Sequence, residues 1–310
     1  MFTRLSYPYR YIMKKMLLFL LSSFLLVNLQ AQKPKVIIDA DTWNEIDDIP
    51  AIVNGLKSDK IDVLALTAAH WDRFELCGRQ TMYENWIANN KILQLLQKEH
   101  IPNLKGGRFA MWQGQHYGVK GWDQNKATDF IIKTAFEMPE GEKLKVIVTG
   151  SATNVASAVL PEPKIIDKIA VYFLGFLYDF ETNAWNKNDF NVRSDLNAID
   201  VLLNTENLEF HIMPSNISKQ LIITRKDIDN RLNMNVGIDK MLKVRWYEFN
   251  EDHVDWIMWD IAVVQALINP QWAKEISVIT PPENKQREVY IYNYINATAM
   301  MEDFWKVFLK

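Results

Sequence analysis

Lys35-Val36-Ile37-Ile38-Asp39-Ala40-Asp41-Thr42-Trp43-Asn44-Glu45-Ile46-Asp47-Asp48 is the stretch on which the reading of this chain turns. Its first half, after Pro34, is a short apolar run of the kind that forms a strand buried on both faces. Its second half puts five acids into the ten residues from Asp39 to Asp48. Carboxylates crowded against a buried strand repel one another, and their pKa values rise unless a cation neutralises them. Helix capping by Asp47 and Asp48 accounts for one or two of these acids, not for five. Hard oxygen donors of this kind suit Ca²⁺ or Mg²⁺ rather than zinc, so a metal site is expected here.

Outward from this stretch, strand and helix alternate. Asp47 to Leu56 reads as a helix that tolerates Pro50 in its first turn. Apolar runs at Ile61–Ala68, Leu144–Val148, Ile169–Leu174 and Leu208–Met213 read as strands. Helical spacing covers Arg73–Gln97, Ala127–Met138, Thr153–Leu160 and Ser194–Leu203, the last capped by Ser194. The stretch from Arg225 to Ile268 reads as largely helical, Glu288–Ile295 as a late strand, and Met300–Leu309 as a closing amphipathic helix. Continuous apolar strands at βαβ spacing predict an α/β fold with an open, mostly parallel sheet flanked by helices. Ligands of such sheets bind beyond the carboxyl ends of the strands, so chemistry is sought in the residues after each strand.

The 310 residues are 48% hydrophobic and 24% charged, which excludes a disordered chain and a collagen-like repeat. One cysteine, Cys77, excludes an internal disulfide. The formal net charge of −3 argues against a general nucleic-acid binder. Met13-Lys14-Lys15, the apolar run Met16–Val27 and the small residue Ala31 have the three parts of a secretory signal peptide. The apolar run is shorter than the roughly 20 residues of a spanning helix, and Met13 opens a complete signal on its own. Residues 1–31 are therefore expected to be removed, leaving one domain over 32–310 with no stable membrane association. All 38 acids and all but four of the 35 basic residues lie in that domain, for a net charge of −7. The expected location is exported, periplasmic or secreted.

The acidic stretch resembles the opening motif of the inosine–uridine-preferring nucleoside hydrolase family, Asp-x-Asp-x-x-x-Asp-Asp, with Asp39, Asp41, Asp47 and Asp48 at its four acidic positions. The spacer departs from it: five residues separate Asp41 from Asp47, against three in the family, the two extra coming from Trp43-Asn44-Glu45. Further blocks resemble the family in the same order. Val146–Ala156 is similar to its strand-Thr-Gly-x-x-Thr-Asn segment, Asp189-Phe190-Asn191 to its Glu-Phe-Asn triplet, and Trp259-Asp260 to its His-Asp pair.

The resemblance implies calcium held by the carboxylates of Asp41, Asp48 and Asp260 and the carbonyl of Thr149, with Asp41 as general base. It implies a nucleoside or ribosyl substrate contacted by Asp47, Asn183, Asp189 and Asn191, and a homodimer or homotetramer. The implied reaction is hydrolysis of an N-glycosidic bond. Two residues break the pattern. Asp189 is one methylene shorter than the family's Glu. Trp259 stands where many members have the histidine that protonates the leaving base; indole is no acid at neutral pH, but it stacks on a base. His70 and His116 are the remaining histidine candidates for a substrate contact, and Trp71, Trp112, Tyr117 and Trp185 for an aromatic wall.

Two other readings compete. Asp39-Ala40-Asp41-Thr42 also resembles the nucleophile motif of haloacid dehalogenase-like phosphatases, with Asp39 as nucleophile and Mg²⁺ as cofactor. That reading leaves Asp189-Phe190-Asn191 and Asp260 unexplained. The third reading is a calcium-dependent sugar- or nucleoside-binding protein in which Trp259 has ended catalysis.

Overall fold

A computed structural model describes residues 33–71, 80–112, 124–249 and 252–310. The signal-peptide reading, Cys77, His116 and Tyr117 lie outside the described residues. The elements in chain order are β1 (Lys35–Ala40), α1 (Asp48–Lys57), β2 (Asp62–Ala68), α2 (Thr81–Leu95), β3 (Asn103–Lys105), α3 (Lys126–Phe136), β4 (Leu144–Val148), α4 (Thr153–Val159) and β5 (Ile169–Leu174). After these come a hairpin, β6 (Leu177–Asp179) and β7 (Ala184–Asn186), then α5 (Phe190–Ser194), α6 (Leu196–Asn204), β8 (Glu209–Met213), α7 (Ser215–Ser218), β9 (Ile222–Thr224), α8 (Arg225–Arg231), α9 (Gly237–Phe249), β10 (Asp255–Ile257) and α10 (Trp259–Ile268). The chain closes with β11 (Ala273–Ile279), β12 (Glu288–Ile295) and α11 (Ala297–Phe308).

Eight strands form one sheet in the order β11-β12-β8-β5-β4-β1-β2-β3, parallel throughout except for the antiparallel edge strand β11. Successive side chains of a strand point to opposite faces, and each face meets its own apolar core. Val36 and Ile38 of β1 pack with Ile52 of α1 and Val263 of α10 on one side. Ile37 packs with Ile131 of α3 and Val155 of α4 on the other. Both faces are covered, which is why the strands read as continuous apolar runs. No helix among the described residues is long and apolar enough to cross a membrane.

Several expected elements differ. Among the described residues the helix expected from Arg73 begins at Thr81. The expected Ser194 cap is instead Asp195, whose carboxylate accepts from the Ala198 amide at 2.9 Å, and Ser194 ends the separate helix α5. The stretch expected to be largely helical contains the antiparallel pair β9–β10.

Near the antiparallel edge, His211 of β8 is buried between two carboxylates. Its Nδ1 lies 2.8 Å from Glu275 of β11 and its Nε2 3.0 Å from Glu209. The ring is stacked between Tyr172 (4.4 Å) and Tyr290 (4.9 Å). Lys143 pairs with Glu209 at 2.9 Å, and Lys145 donates to the Tyr172 hydroxyl at 2.9 Å.

Candidate active site

The carboxyl ends of β1, β4 and β5 open into a cavity of about 290 Å³. Its acidic wall is the loop after β1, which contributes Asp41, Asn44, Glu45, Asp47 and Asp48, joined by Asp260 from α10. The five-residue spacer is accommodated by turning Trp43 away from the cavity. The Trp43 amide donates to Asn85 of α2 at 2.8 Å, and the Arg245 guanidinium lies 4.3 Å over its ring and donates to its carbonyl at 2.9 Å. Ile46 is fully buried in the core, and Asp47 and Asp48 then start α1. Asn44 and Glu45, which the lengthened spacer supplies, become part of the wall.

Capping does not explain the acids. Asp47 occupies the N-cap position of α1, yet its side chain makes no capping hydrogen bond there. Its Oδ2 accepts from the Asp260 amide, 3.3 Å away, at the start of α10. Oxygens of Asp47, Asp48 and Asp260 all lie within 4.8 Å of one another, and all three residues are buried. Asp41 joins them, with Asn44 Nδ2 donating to its Oδ2 at 3.2 Å. Gly150 admits this approach, because a Cβ at that position would stand 2.9 Å from the Asp41 Cβ.

No Lys, Arg or His among the described residues lines the cavity. Burial, then the charges of Asp48 and Asp47, hold Asp41 well above the usual carboxylate range. Asp47 is raised by burial and by Glu45 and Asp48, and Asp260 by burial and by Asp47 and Asp48. Asp48 is raised by burial to about 6, although hydrogen bonds from Thr149, Asp260 and Asp41 oppose the shift. A cluster of buried hard oxygens with no cationic side chain fits a divalent cation. Asp41, Asp47, Asp48 and Asp260 are the carboxylates that could hold it.

Thr149 closes this end of the cavity. Its hydroxyl donates to Asp48 at 2.8 Å. Its carbonyl accepts from the Asn191 side-chain amide at 2.7 Å, and the same amide donates to the Leu174 carbonyl at 3.1 Å. Asp189 caps α5, accepting from the amides of Asn191 and Val192, and Asn191, Asp189 and Trp259 all line the cavity. Trp259 is the first residue of α10, half-buried, with part of its ring against the core.

Two predicted contacts lie elsewhere. His70 is buried outside the cavity wall, its Nε2 2.8 Å from the Thr153 hydroxyl, which donates in turn to Asp195 at 2.6 Å. Through Thr153 it joins the end of β2 to α4 and α6. Asn183 sits at the exposed turn of the β6–β7 hairpin with φ 56°, bonded to the Tyr178 hydroxyl at 3.2 Å. The asparagine that this loop brings to the cavity is Asn188. Trp112 and Trp185 do not line the cavity, and Trp71 lies beside the wall residue Phe190, with ring centroids 6.5 Å apart. Ser215 and Leu177, which do line it, went unread. Ser215 lies two residues beyond β8, where residues after strands are worth inspecting. Leu177 has no such signal.

The sequence profile of the inosine-uridine preferring nucleoside hydrolases matches residues 36–300. The chain belongs to that family. It is 25% identical over 189 residues to the inosine-uridine preferring nucleoside hydrolase of Crithidia fasciculata, a match spanning 55% of this chain and 56% of that protein. The chain thus spans just over half the length of this curated relative. Among solved structures it is similar to a plant nucleoside hydrolase, with TM-score 0.70 and 19% identity over 89% of this chain and 99% of that one. It is also similar to a purine-preferring ribonucleoside hydrolase from Gardnerella vaginalis, with TM-score 0.68 and 17% identity over 89% and 98%. These likenesses show the shared fold. Membership removes the phosphatase reading, and the structure gives the physical reason. Asp39, the required nucleophile, is fully buried outside the cavity, with Oδ1 held by Thr67 at 2.6 Å and Asn154 at 2.8 Å.

Proposed function

We propose that this protein hydrolyses the N-glycosidic bond of a ribonucleoside, with calcium as its metal. The observation that carries this reading is the convergence of Asp41, Asp47, Asp48 and Asp260 in one cavity with Thr149 and Asn191. Asp41, Asp48, Asp260 and the Thr149 carbonyl would hold the ion. A bound divalent cation would lower the pKa of a water held beside Asp41.

Asp41 accepts the proton of the attacking water, with its carboxylate oriented by Asn44. Water oxygen bonds to C1′ as the bond from C1′ to the base nitrogen breaks. The sugar passes through an oxocarbenium-like state, and the negative charge of Asp47 and Asp48 favours it. The Asn191 amide hydrogens fix the Thr149 and Leu174 carbonyls, leaving its side-chain oxygen to accept from a sugar hydroxyl. Trp259 supplies an aromatic face for the base and no proton, so the base departs with the bonding pair as its anion and takes a proton from solvent, while Asp41 returns its own to water; bases that leave readily are favoured.

The test is base and sugar release from inosine, uridine, adenosine and cytidine by chelated protein, before and after calcium is restored. Calcium-dependent release supports the reading; no release from any nucleoside at saturating calcium overturns it. Calcium-dependent binding without turnover selects the binding-protein reading, which the exchange of an acid for Trp259 favours. Residues 1–31 support export of this enzyme, and the family supports a homodimer or homotetramer.

A further inference from the structure

The cavity wall carries one sign of charge. Asp41, Glu45, Asp47, Asp48, Asp189 and Asp260 line it, and no Lys, Arg or His among the described residues does. Asp47, Asp48 and Asp260 converge closely enough to share one divalent ion, which would offset only part of that charge. Glu45 stands outside this convergence. It belongs to the lengthened part of the spacer and is half-buried. The Trp256 indole donates a hydrogen bond to its carboxylate, and the His253 ring lies near it. Neither Trp256 nor His253 lines the cavity, so both hold Glu45 from behind the wall.

Two ties bring Glu45 to Trp259. The Asp260 amide, one residue after Trp259, donates at 3.3 Å to Asp47, two residues after Glu45. Trp256, which bonds Glu45, lies three residues before Trp259. A carboxylate and an indole thus border the same part of the cavity.

Cleavage of the C1′–N bond sends the bonding pair to the base. A neutral base becomes an anion, formed here against Glu45 and against an aromatic face that is itself negative. A base that is already positive behaves in the opposite way. Carboxylates and an aromatic face attract it while it is bound, and the bonding pair neutralises it as it leaves, with no proton to acquire. Water gives its oxygen to C1′ and a proton to Asp41, so the products are the free sugar, a neutral base and one proton. We propose that the preferred substrates are ribosides of a positively charged nitrogen heterocycle, with Glu45 selecting the charge and Trp259 stacking on the ring. The proposal rests on the hydrolase reading above and narrows its substrate class.

Inosine and 7-methylinosine differ by one methyl group, and that group makes the base cationic. With calcium present, kcat/KM should favour 7-methylinosine by about tenfold or more; any smaller ratio overturns the proposal while leaving hydrolysis established. If neither compound is cleaved, and neither is any nucleoside of the panel above, the hydrolase reading fails and the proposal falls with it. A methylated base also leaves more readily in water, so Glu45→Gln supplies the arm that isolates recognition. The amide keeps the shape and removes the charge. KM for 7-methylinosine should rise by about fivefold or more, while kcat/KM for inosine holds or rises. A loss shared equally by both substrates, a loss confined to inosine, as a proton-donating Glu45 would give, or unchanged constants for both overturns the assignment of Glu45.

Discussion

Asp48→Asn should stabilise this protein when divalent cations are chelated, although it removes a buried hydrogen-bonding group. Burial raises Asp48 from 3.8 to about 6. The folded state therefore holds this proton more tightly than the unfolded chain does. Stability falls as pH rises from about 3.8 to about 6, and above pH 6 the whole cost is present. A shift of about two pH units corresponds to about 3 kcal/mol. Asparagine carries no charge and still offers an oxygen to the Thr149 hydroxyl, which sits 2.8 Å from Asp48 Oδ1. At pH 7.5 in chelator the variant should melt about 6–12 °C above the wild type, at roughly 2–4 °C per kcal/mol, and the gap should close as pH approaches 4. Calcium at a hundredfold excess over its dissociation constant adds about 2.7 kcal/mol to the wild type and little to a variant missing a ligand, so the gap should also collapse with metal. Scanning calorimetry across pH, with and without calcium, reads all three. A variant that melts below the wild type at pH 7.5 in chelator refutes the reasoning, as does a gap indifferent to pH and calcium.

Asp41→Asn is expected to lower kcat by about 10²–10⁴ at calcium concentrations raised until they no longer change the rate; a loss under tenfold removes Asp41 from the role of base. Trp259→Ala should raise KM about 5- to 150-fold, the equivalent of about 1–3 kcal/mol of base stacking, and an unchanged KM with a lowered melting temperature would show the indole to be packing only. For His211, burial alone would lower the imidazole pKa, but the hydrogen bonds and charges of Glu209 and Glu275 raise it above 6.5. The hydrogen bond from His211, with help from Lys143, lowers Glu209 from 4.5 to about 2. Stability from the raised imidazole is full below pH 6.5 and lost as pH rises through its folded value; stability from Glu209 is full above pH 4.5 and lost toward pH 2. The urea midpoint of wild type relative to His211→Phe should accordingly peak between those limits, and a difference flat from pH 5 to 9 would contradict the pairing.

The central sheet was legible because β1, β2, β4, β5 and β8 are buried on both faces and read as unbroken apolar runs. Edge and accessory strands have no such signature. β11 is largely exposed along its length, and β6, β7, β9 and β10 are three residues each, too short for any periodicity. Asp41, Asp47, Asp48, Thr149, Asp189, Asn191, Trp259 and Asp260 could all be named from motifs, because each lies within a few residues of a strand end or helix start. What sequence could not supply was direction. His70 follows β2 as Asp41 follows β1, yet its ring turns to Thr153 and away from the cavity. Asn183 and Asn188 read as one loop in the sequence, but β7 lies between them and separates the exposed turn from the rim. The hydrogen bond from Ser215 to Asp189 spans 26 residues, and no local pattern joins them.

Helix α1 begins at Asp48 and ends at Lys57, and the Lys57 ammonium donates to the carbonyl of Phe308 while lying 5.5 Å over its ring. The helix that aims an acid into the cavity is thus clamped by the last turn of α11. β12 reaches its place between β8 and β11 only after nearly the whole chain is available. Contacts separated by some 250 residues carry a large loop-closure entropy and form late. During synthesis, the acidic loop after β1 is made early, and its partners Asn85, Thr149 and Asp260 follow in turn. The clamp behind α1 therefore closes only after Phe308 has been made, when those partners are already available.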